Sequence, residues 1–328
     1  MLRGAPSHRA IGITWVATSA LAYSLFAIFA KRLLDELAPT DVLAWRFLIA
    51  VPVAWAIVLV RHRAGGASPR DAPIARMVLA GVAFGMIALF AFYGVDHLSA
   101  SLYTVLIYTY PAMVAAGAAL LGRPPTRTLW IALGFTILGI ALTVPSVFDG
   151  SADADGIGLA YTIGNAALYA VYILATARLL RRRPGGARSD SVVAATWSLT
   201  GSLVFALGVI ALNGLERPQD GGLVLNLAGL AVVSTVVAGM TLLLGLARLG
   251  PAPAALVATV EPVLTLIWAV VLLGETLQPI QLAGAALVIA GVMWAQRPSA
   301  PVPESGAEHG RSGVRIPPQI PEGNHSGG

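Results

Sequence analysis

Few side chains in this sequence can do chemistry, and several of those lie inside apolar runs where a charge is costly. Glu261 is the clearest case, the one charged residue between Pro253 and Leu273. An ionised group within such a run costs several kcal/mol unless it is paired or wetted, so a function is its default reading. It lies about eight residues into the run, roughly 12 Å at 1.5 Å per residue, close to the middle of a bilayer. Its chemistry would be capture of a substrate ammonium or carriage of a proton. The competing reading is a carboxylate that caps the half-helix starting at Pro262. Arg46 lies in an earlier apolar run and suits either a substrate carboxylate or an internal ion pair with Asp41 or Asp96. Lys31 ends the first run, where its stem lets the ammonium snorkel to the interface. Asn165 is an amide among apolar neighbours, fit for ligand contact or for gluing helices together. Tyr23, Tyr169, Tyr103, Tyr108 and Trp197 would line a cavity for an amphipathic solute or serve as packing and interfacial belt. Glu275 reads as a residue that shapes a loop.

Catalysis finds little support in the same sequence. No GxxxxGK[ST], HExxH or GxSxG stretch occurs. The five histidines, His8, His62, His97, His309 and His325, fall at or beyond the ends of the apolar runs, and cysteine is absent. No catalytic residue, metal site, cofactor or nucleic-acid partner is therefore expected, and an ATP-driven pump would need a separate ATPase subunit. Short loops leave little soluble surface for a receptor or scaffold. That reading stays open as the alternative, together with an enzyme lacking a recognisable motif.

The elements that must hold these residues follow from composition. Of 328 residues 57% are hydrophobic and 11% charged, and the mean hydropathy is +0.78. A soluble domain carries about 25% charged residues. A spanning helix needs about 20 mostly apolar residues. Ten segments meet that need: 11–31, 41–60, 74–95, 99–121, 128–146, 157–180, 191–213, 222–247, 253–273 and 279–296. None alternates with period two, which excludes a transmembrane β-barrel. Backbone polar groups in lipid must be satisfied internally, so the fold class is an all-α integral membrane protein of ten transmembrane helices.

With the N-terminus placed in the cytoplasm, cytoplasmic segments hold most arginines, including Arg61, Arg63, Arg181, Arg182 and Arg183. The opposite side holds Arg32 and Arg217, and the acidic residues Asp35, Glu36, Asp149, Asp153, Glu216 and Asp220 lean outward. Both termini are thus expected in the cytoplasm. The first run is read as an uncleaved helix. Residues 297–328, rich in Pro, Gly and Ser, are read as a disordered cytoplasmic tail.

The chain also resembles itself. Laid without a gap, Gly12, Ala20, Tyr23, Arg32, Leu33 and Leu34 meet Gly158, Ala166, Tyr169, Arg178, Leu179 and Leu180. Tyr110-Pro111 parallels Glu261-Pro262, and Gly139 parallels Gly291. Residues 10–146 and 157–296 read as two five-helix halves, which an odd helix number sets in opposite orientation. Matching proline breaks at Pro111 and Pro262 point to the binding region.

These residues carry a resemblance. The aromatic first helix ending in Lys31, Ala44-Trp45-Arg46-Phe47, Leu249-Gly250-Pro251-Ala252, Glu261-Pro262-Val263 and Leu273-Gly274-Glu275 are similar to the EamA family of the drug/metabolite transporter superfamily. The sequence departs from that family at Arg123, which stands where an acid matching Glu275 is usual. The resemblance implies two inverted EamA repeats in a bacterial cytoplasmic membrane. It implies transport of a small metabolite or drug-like solute without ATP, amino acids among the candidates and export the favoured direction. Lys31 gains a solute-binding role from it. Protons are the candidate coupling ion, and a homodimer is an open oligomeric state.

Overall fold

The computed structural model describes residues 8–98, 103, 106–122, 125–142, 155–180, 189–273 and 278–295. Arg123, Glu275 and the 297–328 tail lie outside them. Regular structure among the described residues is helical throughout. In chain order the helices are α1 His8–Ser24, α2 Phe26–Leu34, α3 Pro39–Arg63, α4 Ile74–His97, α5 Tyr110–Leu120, α6 Arg127–Leu142 and α7 Gly156–Leu179. They continue as α8 Ser191–Asn213, α9 Gly221–Ala231, a π-helical turn Val232–Val237, α10 Ala238–Leu249, α11 Pro251–Ala258, α12 Glu261–Leu273 and α13 Pro279–Ala295. Six helical stretches among the described residues are long and apolar enough to cross a membrane: His8–Leu34, Pro39–Arg63, Ile74–Gly94, Gly156–Leu179, Ser191–Asn213 and Gly221–Leu249.

Local chemistry sets the helix ends. Asp155, Asp190 and Asp220 precede α7, α8 and α9, and their carboxylates accept from the backbone N–H groups of Ile157, of Val192 and Val193, and of Leu223. Each occupies orphan donors of a first helical turn. Pro39 and Pro251 open α3 and α11, where a missing N–H is harmless. Gly214 and Gly250 close α8 and α10 with φ of 82° and 80°, a left-handed conformation that glycine adopts without strain.

Several spans are not continuous. The first runs from His8 to Leu34 and breaks at Leu25, where the Ser24 hydroxyl donates to the carbonyl of Leu21, a side-chain bond that competes with the helix ladder. A turn at Tyr108 and Thr109 precedes α5, and a turn at Thr259 and Val260 separates α11 from α12. Pro111 and Pro262 are the second residues of the helices that follow these turns. The π turn interrupts the Gly221–Leu249 stretch, a feature that its apolar pattern does not announce.

The helices pack mostly across the middle of the sequence. α6 lies on α13, α4 on α7 and α8, α1 on α10, α3 on α8, and α5 on both α7 and α11. Small residues permit these approaches, as membrane packing requires. A Cβ on Gly81 would run into the backbone of Ser198, and one on Gly201 into the backbone of Val78. Gly139 faces Gly284 and Val288, while Gly291 faces Ala132 and Thr136.

Candidate functional site

Glu261 opens α12 directly after the Thr259–Val260 turn. The Tyr108 hydroxyl lies within hydrogen-bonding reach of its carboxylate. Tyr23 from α1, Tyr103, Tyr110 from α5 and Tyr169 from α7 all lie close enough to feel its charge. Tyrosines from three stretches of chain, α1, the stretch holding Tyr103, Tyr108 and Tyr110, and α7, thus lie in electrostatic range of one carboxylate. Glu261, Tyr23, Tyr103 and Tyr169 are half-buried, while Tyr108 and Tyr110 are buried.

A line of rings leads away from the carboxylate. Tyr108 lies 6.2 Å from Tyr110 between centroids, and Tyr110 lies 4.9 Å from Tyr169. Tyr169 stacks on Tyr172 at 6.3 Å, Tyr172 lies 5.1 Å from Phe84, and Phe84 meets Phe47 edge-on at 6.4 Å. Arg46 stands at the far end. Its Cζ is 5.4 Å from the Phe47 centroid and 5.2 Å from that of Phe26, within the range of a cation–π contact.

Arg46 is 3% exposed. Its Nε donates to the Thr235 hydroxyl oxygen at 2.7 Å and its Nη2 to the Ser234 carbonyl at 3.5 Å. Neither internal partner weighed from the sequence meets it. Asp41 accepts from the backbone N–H of Glu216 at 3.0 Å, and Asp96 is exposed. Among the described residues Arg32 pairs with Asp220 and Arg61 with Asp190, and His97 Nδ1 lies 2.9 Å from an Asp155 carboxylate oxygen. The Arg46 charge is thus solvated by neutral oxygens and ring faces. Tyr23 lies in electrostatic range of both Arg46 and Glu261.

The remaining candidates divide. Asn165 is 2% exposed and donates to the Tyr103 hydroxyl at 2.9 Å, which ties it to the Glu261 group. Lys31 lies in α2, with its side chain outside the described residues. Trp197 has other partners: its indole N–H donates to the Pro69 carbonyl at 2.9 Å, and its ring meets Trp55 edge-on at 4.8 Å. No group of three or more metal-ligating residues occurs among the described residues.

Sequence reading missed several members. Tyr110 was legible, because it precedes Pro111 as Glu261 precedes Pro262. Ser24 and Trp268 were not. Trp268 donates to the Ser24 hydroxyl oxygen at 2.9 Å and so ties α12 to the break between α1 and α2. Thr235 and Ser234 carry no signal beyond a pair of hydroxyls in an apolar run.

The arrangement places a carboxylate, a guanidinium, hydroxyls and aromatic rings between interrupted apolar helices. Charged groups within interrupted apolar helices are features of membrane transporters. The pattern of the EamA-like transporter family matches residues 10–144 and again 156–296, and the chain belongs to that family. YcbK of Bacillus subtilis (strain 168), an uncharacterized transporter, is 27% identical over 253 residues, covering 75% of this chain and 80% of YcbK. The threonine/homoserine exporter RhtA of Escherichia coli (strain K12) is 27% identical over 213 residues, covering 65% of this chain and 68% of RhtA. A solved crystal structure superposes with a TM-score of 0.73 over 87% of this chain and 96% of its own, at 18% identity, a likeness of fold alone. Family and relatives are transporters, which points away from enzymatic activity.

Proposed function

We propose that this chain is a secondary transporter that exports a small zwitterionic metabolite of the amino-acid class across the cytoplasmic membrane by alternating access. The observation that carries this reading is the Glu261 carboxylate within an apolar run, in electrostatic range of tyrosines from three stretches of chain. Glu261 takes the solute ammonium or a coupling proton, Arg46 takes the carboxylate, and Tyr23, Tyr108, Tyr169 and Asn165 shape the space between. Lys31 is assigned to the outer mouth. The similarity to the exporter RhtA supports the solute class and the direction.

Ten spans fit the helices, with α1–α2, α9–α10 and α11–α12 each counted as one and the fourth formed around Tyr103 and α5. Two inverted halves, 10–146 and 157–296, find support in matching contacts. A Cβ on Gly12 would press on Leu249 and Arg248, and one on Gly158 on Leu98 and His97. Gly245 faces Val16 as Gly94 faces Thr162. In the halves' alignment Gly12 meets Gly158 and Leu98 meets Leu249, so the two sets of contacts are the same set with the halves exchanged. Two similar halves can trade conformations around a shared site. The arginine distribution supports both termini in the cytoplasm.

The test is to overexpress wild type and Glu261→Gln in bacteria at matched membrane levels and profile metabolites in the medium by mass spectrometry. Wild type is expected to enrich one class of zwitterion outside, and the variant to lose that enrichment. Enrichment equal in both strains would remove Glu261 from the mechanism, and none in wild type would overturn export.

A further inference from the structure

We propose that Thr235, in the π-helical turn of the eighth span, is the positioning residue that fixes Arg46 as a carboxylate-binding group. The inference rests on the transport reading above and deepens one end of its site.

A π turn displaces the helix ladder by one residue and leaves a carbonyl short of its usual donor. Here the turn is Val232–Val237, and the Leu230 carbonyl accepts the Thr235 hydroxyl proton at 2.8 Å, five residues back. With its proton committed there, the Thr235 oxygen can only accept toward Arg46, and Nε donates to it at 2.7 Å. The neighbouring Ser234 donates through its hydroxyl to the Ala22 carbonyl of α1 at 2.8 Å, next to Tyr23, while its own carbonyl accepts from Arg46 Nη2 at 3.5 Å. Both residues are buried, Ser234 at 0% and Thr235 at 1% exposure. The turn therefore knits α1, α3 and the eighth span together around one guanidinium.

That geometry leaves Arg46 half used. A guanidinium has five N–H donors in a planar fork. Thr235 holds Nε and Ser234 one proton of Nη2, while Phe26 and Phe47 lie against the group. The Nη1 and Nη2 end keeps N–H groups without acceptors among the described residues, and the charge keeps no counter-ion there. An end-on carboxylate satisfies both needs with two charge-assisted hydrogen bonds. Thr235 sets the plane of the fork, since it fixes Nε against a hydroxyl that the π turn itself orients. Without that bond the guanidinium rotates about its long stem, and the end-on pair loses its geometry.

The experiment compares binding of L-threonine with binding of 1-amino-2-propanol, the same skeleton without the carboxylate, to purified protein in detergent. Wild type, Thr235→Val, Thr235→Ser and Arg46→Lys are measured side by side at matched helix content and monodispersity. Wild type is expected to prefer threonine. Thr235→Val is expected to weaken threonine roughly tenfold, the scale of one charge-assisted hydrogen bond, and to leave the amine unchanged. Thr235→Ser keeps the hydroxyl and is expected to keep the preference. A Thr235→Val protein with full preference overturns the proposal, and if Arg46→Lys has lost it, the carboxylate role of Arg46 stands alone. Equal loss of both ligands in Thr235→Val, unrescued by serine, assigns Thr235 to packing and also overturns it. Wild type without preference overturns both this inference and the carboxylate reading of Arg46.

Discussion

Glu261 and Arg46 were both visible in the sequence for one physical reason: a charge within an apolar run is too costly to persist without a use. What each charge faces was not visible, because an apolar run says where a helix lies and nothing about the side chains across from it. Asp41 and Asp96 were reasonable partners for Arg46 because all three were expected toward the outer face, yet its bonds come from Thr235 and Ser234, nearly two hundred positions away. Tyr110 was available to sequence reasoning through the repeat. The convergence of Tyr23, Tyr108 and Tyr169 was not, since each sits on a different helix or turn. Tyr108 supplies a prediction at this scale. Tyr108→Phe removes the hydroxyl in reach of Glu261 and keeps the ring against Tyr110. One hydrogen bond to a charged group contributes about 1.5–3 kcal/mol, so the variant is expected to melt below wild type, and solute binding is expected to weaken because Glu261 loses a group that orients it. A titration of solute binding checks this, and unchanged affinity would separate Tyr108 from the site.

At the level of elements, helix positions followed from hydropathy, and their interruptions followed only in part. The prolines marked the breaks before α5 and α12, because a proline denies the ladder a donor and crowds the preceding turn. The break at Leu25 and the π turn have no such marker, for they depend on hydroxyls of Ser24 and Thr235 bonding to backbone carbonyls. The start of α8 shows how firmly one element is held. Asp190 accepts from the backbone N–H groups of Val192 and Val193 and forms a two-pronged pair with Arg61 at 3.2 Å for each bond. Burial pushes the Asp190 carboxyl up, but the Arg61 hydrogen bonds, the two backbone N–H groups and the guanidinium charge outweigh it and hold it below the usual value. A carboxyl with a depressed folded pKa stabilises fully above the ordinary aspartate value of 3.8, and that part is lost as pH falls through the lower folded value. Asp190→Ala is expected to cost about 1 kcal/mol at neutral pH, the usual worth of a lost helix cap. The difference from wild type should shrink in strongly acidic buffer, where Asp190 is protonated. Thermal melts in detergent across pH check both statements, and a constant difference down to the lowest pH would contradict the assignment.

At the scale of the whole molecule, the internal repeat was legible as paired glycines and aromatics between residues 12–34 and 158–180. The structure adds that the paired glycines touch paired partners: Gly12 with Leu249, Gly158 with Leu98. Such contacts join the two halves and were beyond the sequence, because self-similarity reveals equivalent positions and not which of them meet. The proposed carrier would need no nucleotide, with the solute or ion gradient supplying the work and the halves the two states. The most direct measurement is solute flux into liposomes that hold purified protein and no nucleotide, with L-threonine as probe and a concentration gradient as the driving force. Wild type is expected to carry threonine, and Glu261→Gln at matched incorporation to carry it at least about tenfold more slowly, the scale of one lost charge-assisted bond. Equal flux through both proteins, or flux that appears only when ATP is added, would contradict the account.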